Sequence, residues 1–243
     1  MKVLLLAGTT EARELAEIAT CASVEMVASL AGHTRDQRVF PCAVRVGGFG
    51  GVDGLVSYLR EHAIDAVVDA THPFSTHMPQ HALDAACKTG IAHARLVRPP
   101  WTPTNEDIWV EADDLADAAR TVGRLGRSPV LLTIGRHELA SFAGLEPVAF
   151  VVRTVEDPQP LPFRPLAVVR ARGPFNRDDE ATLLSTHHVQ LLVTKNAGGD
   201  DAKLVAARAA KVPVVMVRRP RSIVENCFTN PTDALSWLES LSR

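Results

Sequence analysis

The stretch "VLLLAGTTEAREL" near the N-terminus places an apolar run, a glycine and two threonines in the order typical of a phosphate-binding turn. Gly8 permits a tight turn after the predicted first strand, and Thr9 or Thr10 can cap the helix that follows. The N-terminus of such a helix offers N–H groups and a partial positive charge, which bind phosphate. Most glycines of the usual dinucleotide fingerprint are missing, so this turn is a weak signal by itself.

The end of the predicted second strand, in "ASLAGHTRDQR", lacks the acidic residue with which NAD-binding domains hold the ribose 2′-hydroxyl. Ser29 and Gly32 stand at that end, and Arg35 and Arg38 follow closely. A missing acid and nearby arginines favour a 2′-phosphate and hence NADP(H). A solvated basic loop is the alternative, and Asp36 in the same loop weakens the case for NADP(H).

Two further stretches lie beyond the ends of predicted strands, where ligands bind in open α/β sheets. The glycines of "GGFGG" at 47–51, including Gly48, either bring backbone close to a cofactor or form an ordinary flexible turn. The stretch "DATHPF" at 69–74 ends the predicted fourth strand. It places four residues where a cofactor would lie: Thr71, His72, Pro73 and Phe74.

Three histidines, His72, His77 and His81, lie near the start of a predicted helix. No carboxylate or thiolate accompanies them, so exposed helix histidines are the simpler interpretation and we expect no metal site. The sequence shows no P-loop, HExxH motif or Ser-His-Asp arrangement. These absences argue against kinase, metalloprotease and hydrolase functions.

Cationic and polar side chains follow several predicted strands of the second half, in "TIGRHEL", "RARGPF", "TKNAGG" and "VRRPRS". Because parallel strands end at one edge of a sheet, these side chains predict a substrate with several carboxylates. Surface charge is the alternative for each of them. The residues are Arg136, His137, Arg170, Arg172, Lys195, Asn196, Arg218, Arg219 and Arg221.

The elements that must position these residues alternate as strand and helix along the whole chain. This rhythm predicts an α/β fold with two Rossmann-like parallel sheets and a ligand cleft between two domains. We expect a boundary near residue 127, with an NADP(H)-binding domain at 1–127 and a substrate domain at 128–243. The proline-rich stretch "RPPWTPTNEDIW" reads as a loop in the first of these, and "PTDALSWLESLS" as the closing helix of the second.

The composition of the 243-residue chain is that of an ordinary globular protein, with 46% hydrophobic and 22% charged residues. The net charge of −2 gives no reason to expect nucleic acid, so a small molecule is the expected partner. No segment reaches the roughly 20 apolar residues that span a membrane, and the four cysteines are scattered. We therefore expect a cytoplasmic protein without a membrane partner.

The motifs together resemble the precorrin-6A reductase family of cobalamin (corrin) biosynthesis. The resemblance lies in "LLLAGTTEAREL", "VRVGGFGGVDGLVSYL", "VVDATHPF", "TIGRHEL" and "LVTKNAGGDDAKLVAA", which follow the family's order and cover nearly the whole chain. It implies an enzyme that uses NADPH to reduce a double bond of the tetrapyrrole precorrin-6A, giving precorrin-6B. Small departures, such as "NAGG" where "NSGG" is common, leave individual hydrogen bonds open.

The resemblance also implies roles for particular residues. Around the pyrophosphate it places Gly8, Thr9, Thr10, Glu11, Ala12 and Arg13. The 71–74 stretch would lie near the nicotinamide. Facing the substrate would be Arg136, Lys195 and Asn196, with His137 and Arg172 beside them by the strand-end argument.

A proton must follow the hydride, and His72, His137 and Lys195 are the candidate donors. The substrate can alternatively be protonated already at a ring nitrogen. Two other functions stay open: an NADP-dependent reductase of another polycarboxylate, and a non-catalytic dinucleotide-sensing protein. Other enzymes of the pathway are conceivable partners for substrate hand-over.

Overall fold

A computed structural model describes residues 1–22, 24–32, 39–155, 161–220 and 226–241. The strands in these ranges are β1 Lys2–Ala7, β2 Glu25–Leu30, β3 Ala43–Val46, β4 Ala66–Ala70, β5 Ala92–Leu96, β6 Trp109–Ala112, β7 Val130–Leu132, β8 Phe150–Thr154, β9 Ala167–Arg170, β10 Leu191–Lys195, β11 Val214–Val217 and β12 Cys227–Phe228. The α-helices are α1 Thr10–Ala19, α2 Val52–Glu61, α3 His77–Thr89, α4 Leu115–Leu125, α5 Arg177–Thr186, α6 Ala202–Ala209 and α7 Pro231–Leu241.

The first sheet has the strand order β12-β5-β4-β1-β2-β3, and all its paired strands are parallel. Its central strands β1 and β4 are buried on both faces, which explains why their sequences are continuous apolar runs. The strand order reverses between β1 and β4. In a sheet of this kind the reversal is where a crevice opens at the carboxyl ends of the strands.

The second sheet repeats this plan with the order β6-β11-β10-β7-β8-β9, again with parallel pairing throughout. Its order reverses between β7 and β10. The second sheet is built from six consecutive strands, β6 to β11, whereas the first sheet takes its edge strand β12 from the end of the chain. The predicted pair of parallel α/β sheets is thus confirmed, and periodicity does not reveal that β12 returns to the first sheet.

The chain divides into a first unit, Met1–Pro99 with Pro220–Arg243, and a second unit, Pro100–Arg219. This division differs from the boundary expected near residue 127 because β6 and α4 belong to the second unit, and β12 and α7 to the first. Helix α7 packs against α1 of the first unit, where Ala234 and Leu238 join the core. Helix α4 packs against β6 and β11 of the second unit.

The first sheet is covered by helices on both faces. One core cluster joins β1, β2 and β4 to α1 and α7, and another joins the opposite face to α2 and α3. In the second unit, "RHELASF" forms a 3-10 helix, Arg136–Phe142. No helix within the described ranges has the length and apolar character needed to cross a membrane.

Candidate functional site

The turn after β1 and the loop after β4 meet at the reversal point of the first sheet. A Cβ atom at Gly8 would lie 3.3 Å from the backbone nitrogen of His72 and 3.3 Å from Cα of Thr71. The Thr9 hydroxyl donates to the carbonyl of Ala70 at 3.1 Å and accepts from the backbone N–H of Ala12 at 3.3 Å. Thr9 is therefore the N-cap of α1 and also ties this helix to the end of β4.

The loop after β4 is shaped by its own side chains. Asp69 accepts hydrogen bonds from the backbone nitrogen of Thr71 at 3.0 Å and from its hydroxyl at 2.6 Å. The Nδ1 atom of His72 accepts from the backbone nitrogen of Phe74 at 3.2 Å, so the neutral imidazole carries its proton on Nε2. Pro73 is buried, while the neighbouring three residues are half-buried.

A buried charge pair lies beneath this loop. Oδ2 of Asp69, which is completely buried, is 3.3 Å from Nε of Arg95, itself 6% exposed. His93 lies beside them on β5 and is also buried. Burial lowers the pKa of His93. The charge of Asp69 raises this pKa in part, whereas the charge of Arg95 lowers it further. Since Arg95 offsets the charge of Asp69, the carboxylate can hold the loop without leaving an unpaired buried charge.

The first turn of α1 carries an acid at the predicted phosphate site. Glu11 pairs with Arg98, which follows β5, at 3.2 Å. Arg13 pairs along the helix with Glu17, also at 3.2 Å. The charge of Glu11 is therefore compensated at the helix N-terminus, while Arg13 is engaged one turn further along.

Strand β3 carries an arginine opposite the end of β2 that was not predicted as a site residue. Arg45 on β3 donates to the Ser29 hydroxyl at 2.8 Å and to the carbonyls of Gly47 and Gly48 at 2.9 and 3.1 Å. Gly32 follows β2 with a φ of 77°, a conformation that favours glycine. The other predicted residues of this loop, Arg35 and Arg38 together with Asp36, lie outside the described residues, as does Arg221.

The reversal point of the second sheet is organised around Glu138. Its carboxylate accepts from the backbone nitrogen of Gly135 at 2.7 Å and from Nζ of Lys195 at 2.8 and 2.7 Å. Thr133 ties the same loop to β10, donating through its backbone N–H and its hydroxyl to the carbonyl of Val193. The structure thus brings together the two predicted motifs "TIGRHEL" and "TKNAGG".

The other predicted substrate residues have different positions. Arg136 and His137 are exposed, and Nε of Arg136 donates to Nε2 of His137 at 3.1 Å. Arg172 is exposed after β9. The Asn196 amide accepts from the backbone nitrogen of Trp101 at 2.8 Å and donates to its carbonyl at 2.9 Å. Both ends of the amide thus help to anchor Trp101, a role that the sequence did not indicate.

Other arginines of the second unit are engaged with the protein. Arg218 pairs with Glu111 at 2.6 Å and with Asp113. Arg219 donates from Nε to the carbonyl of Asn196 at 2.6 Å. The predicted cationic edge is therefore partly neutralised: of its exposed arginines Arg136, Arg170, Arg172 and Arg218, the last is paired with two carboxylates.

The described residues contain no group of three His, Cys, Asp or Glu side chains that could hold a metal ion. The rings of His77 and His81 lie 6.5 Å apart on α3, one exposed and the other half-buried.

The sequence matches the family described as "Precorrin-6x reductase CbiJ/CobK" over residues 2–239. The chain belongs to this family. A precorrin-6A reductase from Rhodococcus erythropolis is 44% identical over 246 residues, covering 100% of this chain and 99% of the relative. A cobalt-precorrin-6A reductase from Priestia megaterium is 27% identical, with 90% and 91% covered. The solved structure of a protein called CobK precorrin-6A reductase superimposes with a TM-score of 0.93 at 37% identity, covering 99% of this chain and 97% of that one.

Membership of the precorrin-6x reductase family confirms the resemblance drawn from the motifs, but several residues of the site were missed. Arg45 lies inside a four-residue strand at the start of "VRVGGFGGVDGLVSYL", where attention went to the glycines, and its partners are mostly backbone carbonyls. Glu138 stood within "TIGRHEL" and Asp69 within "DATHPF", where each carboxylate was a visible signal beside the residues that were chosen. Arg95 and Arg98 had no signal, because only the fold brings them to Asp69 and Glu11.

Proposed function

We propose that this chain is an NADPH-dependent precorrin-6A reductase whose first unit holds the cofactor and whose second unit binds the substrate. The observation that carries the proposal is the close approach of Gly8 to Thr71 and His72 at the reversal point of the first sheet, together with the hydrogen bond from Thr9 to Ala70. A dinucleotide needs a helix N-terminus and a loop without bulk at this position. Family membership over nearly the whole chain supports the reaction.

The two reversal points differ in how well they suit a pyrophosphate. In the first unit a regular α-helix begins at Thr10, and the acid in its first turn, Glu11, is offset by Arg98. In the second unit a 3-10 helix begins instead, and Glu138 bonds back to the nitrogen of Gly135. A carboxylate of the protein thus takes the position that an anion would need, which favours the first unit as the cofactor site.

The second unit suits a polycarboxylate. Exposed Arg136 and Arg172 provide planar guanidinium groups that hydrogen-bond carboxylates, and Lys195 provides an ammonium at the end of β10. We propose precorrin-6A without cobalt as the substrate, because the relatives named precorrin-6A reductase are 38–44% identical and those named for the cobalt form 26–29%.

The residues of the chain orient the reactants and hold a proton, while NADPH supplies the hydride when bound. Of the three candidate donors, we assign the proton to His72, which lies beside Gly8 and carries the proton of its neutral form on Nε2. Asn at this position keeps an acceptor for the nitrogen of Phe74, but its amide N–H is too weakly acidic to transfer a proton. His72→Asn should therefore lower kcat by about a hundredfold with little change in NADPH affinity. Full turnover at saturating substrate would remove His72 from this role.

The proposal is tested by mixing the purified chain with NADPH and precorrin-6A without oxygen and following the visible spectrum of the macrocycle. We expect a spectral change with matching oxidation of NADPH, and slower reactions with NADH and with cobalt-precorrin-6A. Tight NADPH binding without any spectral change would contradict the assignment of precorrin-6A as the substrate. It would favour another polycarboxylate substrate or a dinucleotide-sensing role. Equal rates with both substrates would overturn the preference for the metal-free form.

A further inference from the structure

Arg45 occupies the place where an open α/β sheet holds the adenosine ribose of a dinucleotide. In the parallel pairing of β2 and β3, Arg45 stands directly opposite Ser29, one residue before β2 ends at Leu30. Dinucleotide-binding domains select between NAD and NADP at the end of their second strand. The position therefore bears on cofactor choice, and the following inference rests on the proposed use of a dinucleotide.

The guanidinium of Arg45 is held rigidly although it is only half-buried. Three hydrogen bonds fix it to the Ser29 hydroxyl and to the carbonyls of Gly47 and Gly48. One face covers the ring of Phe49, with 3.8 Å from Cζ to the ring centroid, and Tyr58 lies 5.1 Å away. A side chain fixed in this way loses little conformational entropy when it binds a ligand.

The charge of Arg45 has no acidic partner among the residues that the structure describes. Its hydrogen-bond acceptors are a hydroxyl and two carbonyls, all neutral. Two arginines near the ends of other strands pair with carboxylates: Arg98 with Glu11 at 3.2 Å and Arg218 with Glu111 at 2.6 Å. A fixed, partly buried and uncompensated cation at this position is the arrangement that an anionic ligand group completes.

We propose that Arg45 is the residue that recognises the 2′-phosphate of NADPH and so sets the preference for NADPH over NADH. Two of its five N–H groups are not used by the three hydrogen bonds within the protein and are available for phosphate oxygens. Ser29 assists: its oxygen accepts from Arg45, which leaves the hydroxyl hydrogen to donate to the ligand. The glycines at 47 and 48 serve by presenting their carbonyls to Arg45.

The test measures the dissociation constants of NADPH and NADH by calorimetry, with the full chain and no tetrapyrrole. Arg45→Met keeps an unbranched stem against Phe49 and removes the charge. We expect it to weaken NADPH binding by about tenfold to a hundredfold and to leave NADH binding within about twofold. Arg60→Met, at an exposed arginine in the last turn of α2, is the matched control and should change neither constant.

Adenosine 2′,5′-bisphosphate and AMP serve as fragments that isolate the phosphate. The wild-type chain should prefer the bisphosphate, and Arg45→Met should abolish that preference. If Arg45→Met does not fold, Arg45→Lys and Ser29→Ala are measured, and each should narrow the NADPH preference at least severalfold.

Equal weakening of NADPH and NADH would overturn the inference and make Arg45 a structural support of the loop. An unchanged preference would also overturn it and assign the 2′-phosphate to another residue. Failure of the proposed function looks different: the wild-type chain itself would bind neither dinucleotide, or would bind NADPH yet fail to reduce precorrin-6A.

Discussion

Lys195 and Glu138 form an ion pair at the position where we expect the second unit to bind an acidic group of the substrate. Two hydrogen bonds of 2.8 and 2.7 Å join them at the end of β10. Lys195→Ala removes a cation and exposes an uncompensated carboxylate where the substrate's acidic groups should bind. We expect the KM for precorrin-6A to rise by about tenfold or more, with kcat little changed. Steady-state kinetics at saturating NADPH checks this.

The double variant Lys195→Ala with Glu138→Gln separates the two causes. Removing the carboxylate charge should recover part of the lost affinity, because only the missing cation then remains. A fall in kcat with an unchanged KM would instead place Lys195 in the proton-transfer step. No recovery in the double variant would mean that Glu138 does not face the substrate.

His93 makes the stability of the first unit depend on pH. Burial lowers the pKa of this imidazole below its usual value of about 6.5. The folded state therefore favours neutral His93, so its contribution is present above about pH 6.5 and is lost as the pH falls through the lowered pKa. Between pH 7.5 and 5.5, we expect the unfolding free energy of the wild-type chain to fall by up to about 1.4 kcal/mol per pH unit more than that of His93→Leu.

The control for this experiment is His77→Gln, which replaces an exposed histidine at the start of α3. It should show the wild-type dependence on pH in denaturant unfolding. A His93→Leu variant with the same slope as the wild type would show that His93 is not the group that titrates.

Single residues could be predicted only where sequence alone defines their place. Gly8, Thr71 and Lys195 could be placed at the ends of strands, because such an end is visible as the end of an apolar run. Their partners could not be identified, since Arg98 lies 87 positions from Glu11 and Glu138 lies 57 from Lys195. The partner of Asn196 was hidden for the same reason: only the fold shows that Trp101 uses both ends of its amide.

At the level of elements, Thr9 joins helix α1 to strand β4. Its hydroxyl both caps the helix and donates to the carbonyl of Ala70. Thr9→Val preserves the shape and removes both hydrogen bonds, so we expect a loss of about 1–2 kcal/mol in unfolding free energy and weaker NADPH binding. Thermal unfolding and calorimetry measure the two effects.

Thr9→Ser is the matched control, because it keeps the hydroxyl and should retain most of both properties. Wild-type stability in Thr9→Val would show that water replaces the two hydrogen bonds at no cost. Weakened stability with unchanged NADPH affinity would separate the cap from the cofactor site.

Elements were predictable to the extent that their sequence carries a period or a long apolar run. The strands around Leu4 and Val68 are buried on both faces and read as strands for that reason. Helix α4 shows Asp114 as its N-cap, accepting from the nitrogen of Asp117. Strand β12, Cys227–Phe228, is only two residues long and has no period of its own; its place is set by pairing with β5.

At the scale of the whole molecule, the two folding units do not correspond to two successive stretches of the chain, because the first unit combines both ends of it. The second sheet is formed by one continuous run of the chain, whereas the first sheet takes its sixth strand, β12, from beyond that run. Local patterns cannot show this, because an edge strand looks the same whichever sheet it joins. The expected division at residue 127 assigned α4 and α7 by sequence proximity, whereas contacts assign each to the other unit.

The division into these two units predicts which unit a core mutation weakens. Leu238 lies on α7, is fully buried and packs in the core formed around α1 and β1. Leu238→Ala should cost about 2–5 kcal/mol and should increase hydrogen exchange in α1 and β1, far away in sequence. Val122 is the matched site, fully buried on α4, and Val122→Ala should increase exchange in β11 of the second unit. A division at residue 127 requires the opposite pattern, with Leu238→Ala loosening β10 and β11 and Val122→Ala loosening α1. Peptide-resolved hydrogen exchange on both variants therefore decides between the two divisions. In each variant, the two divisions place the mutated helix in a unit with different segments, so they predict increased exchange in different peptides.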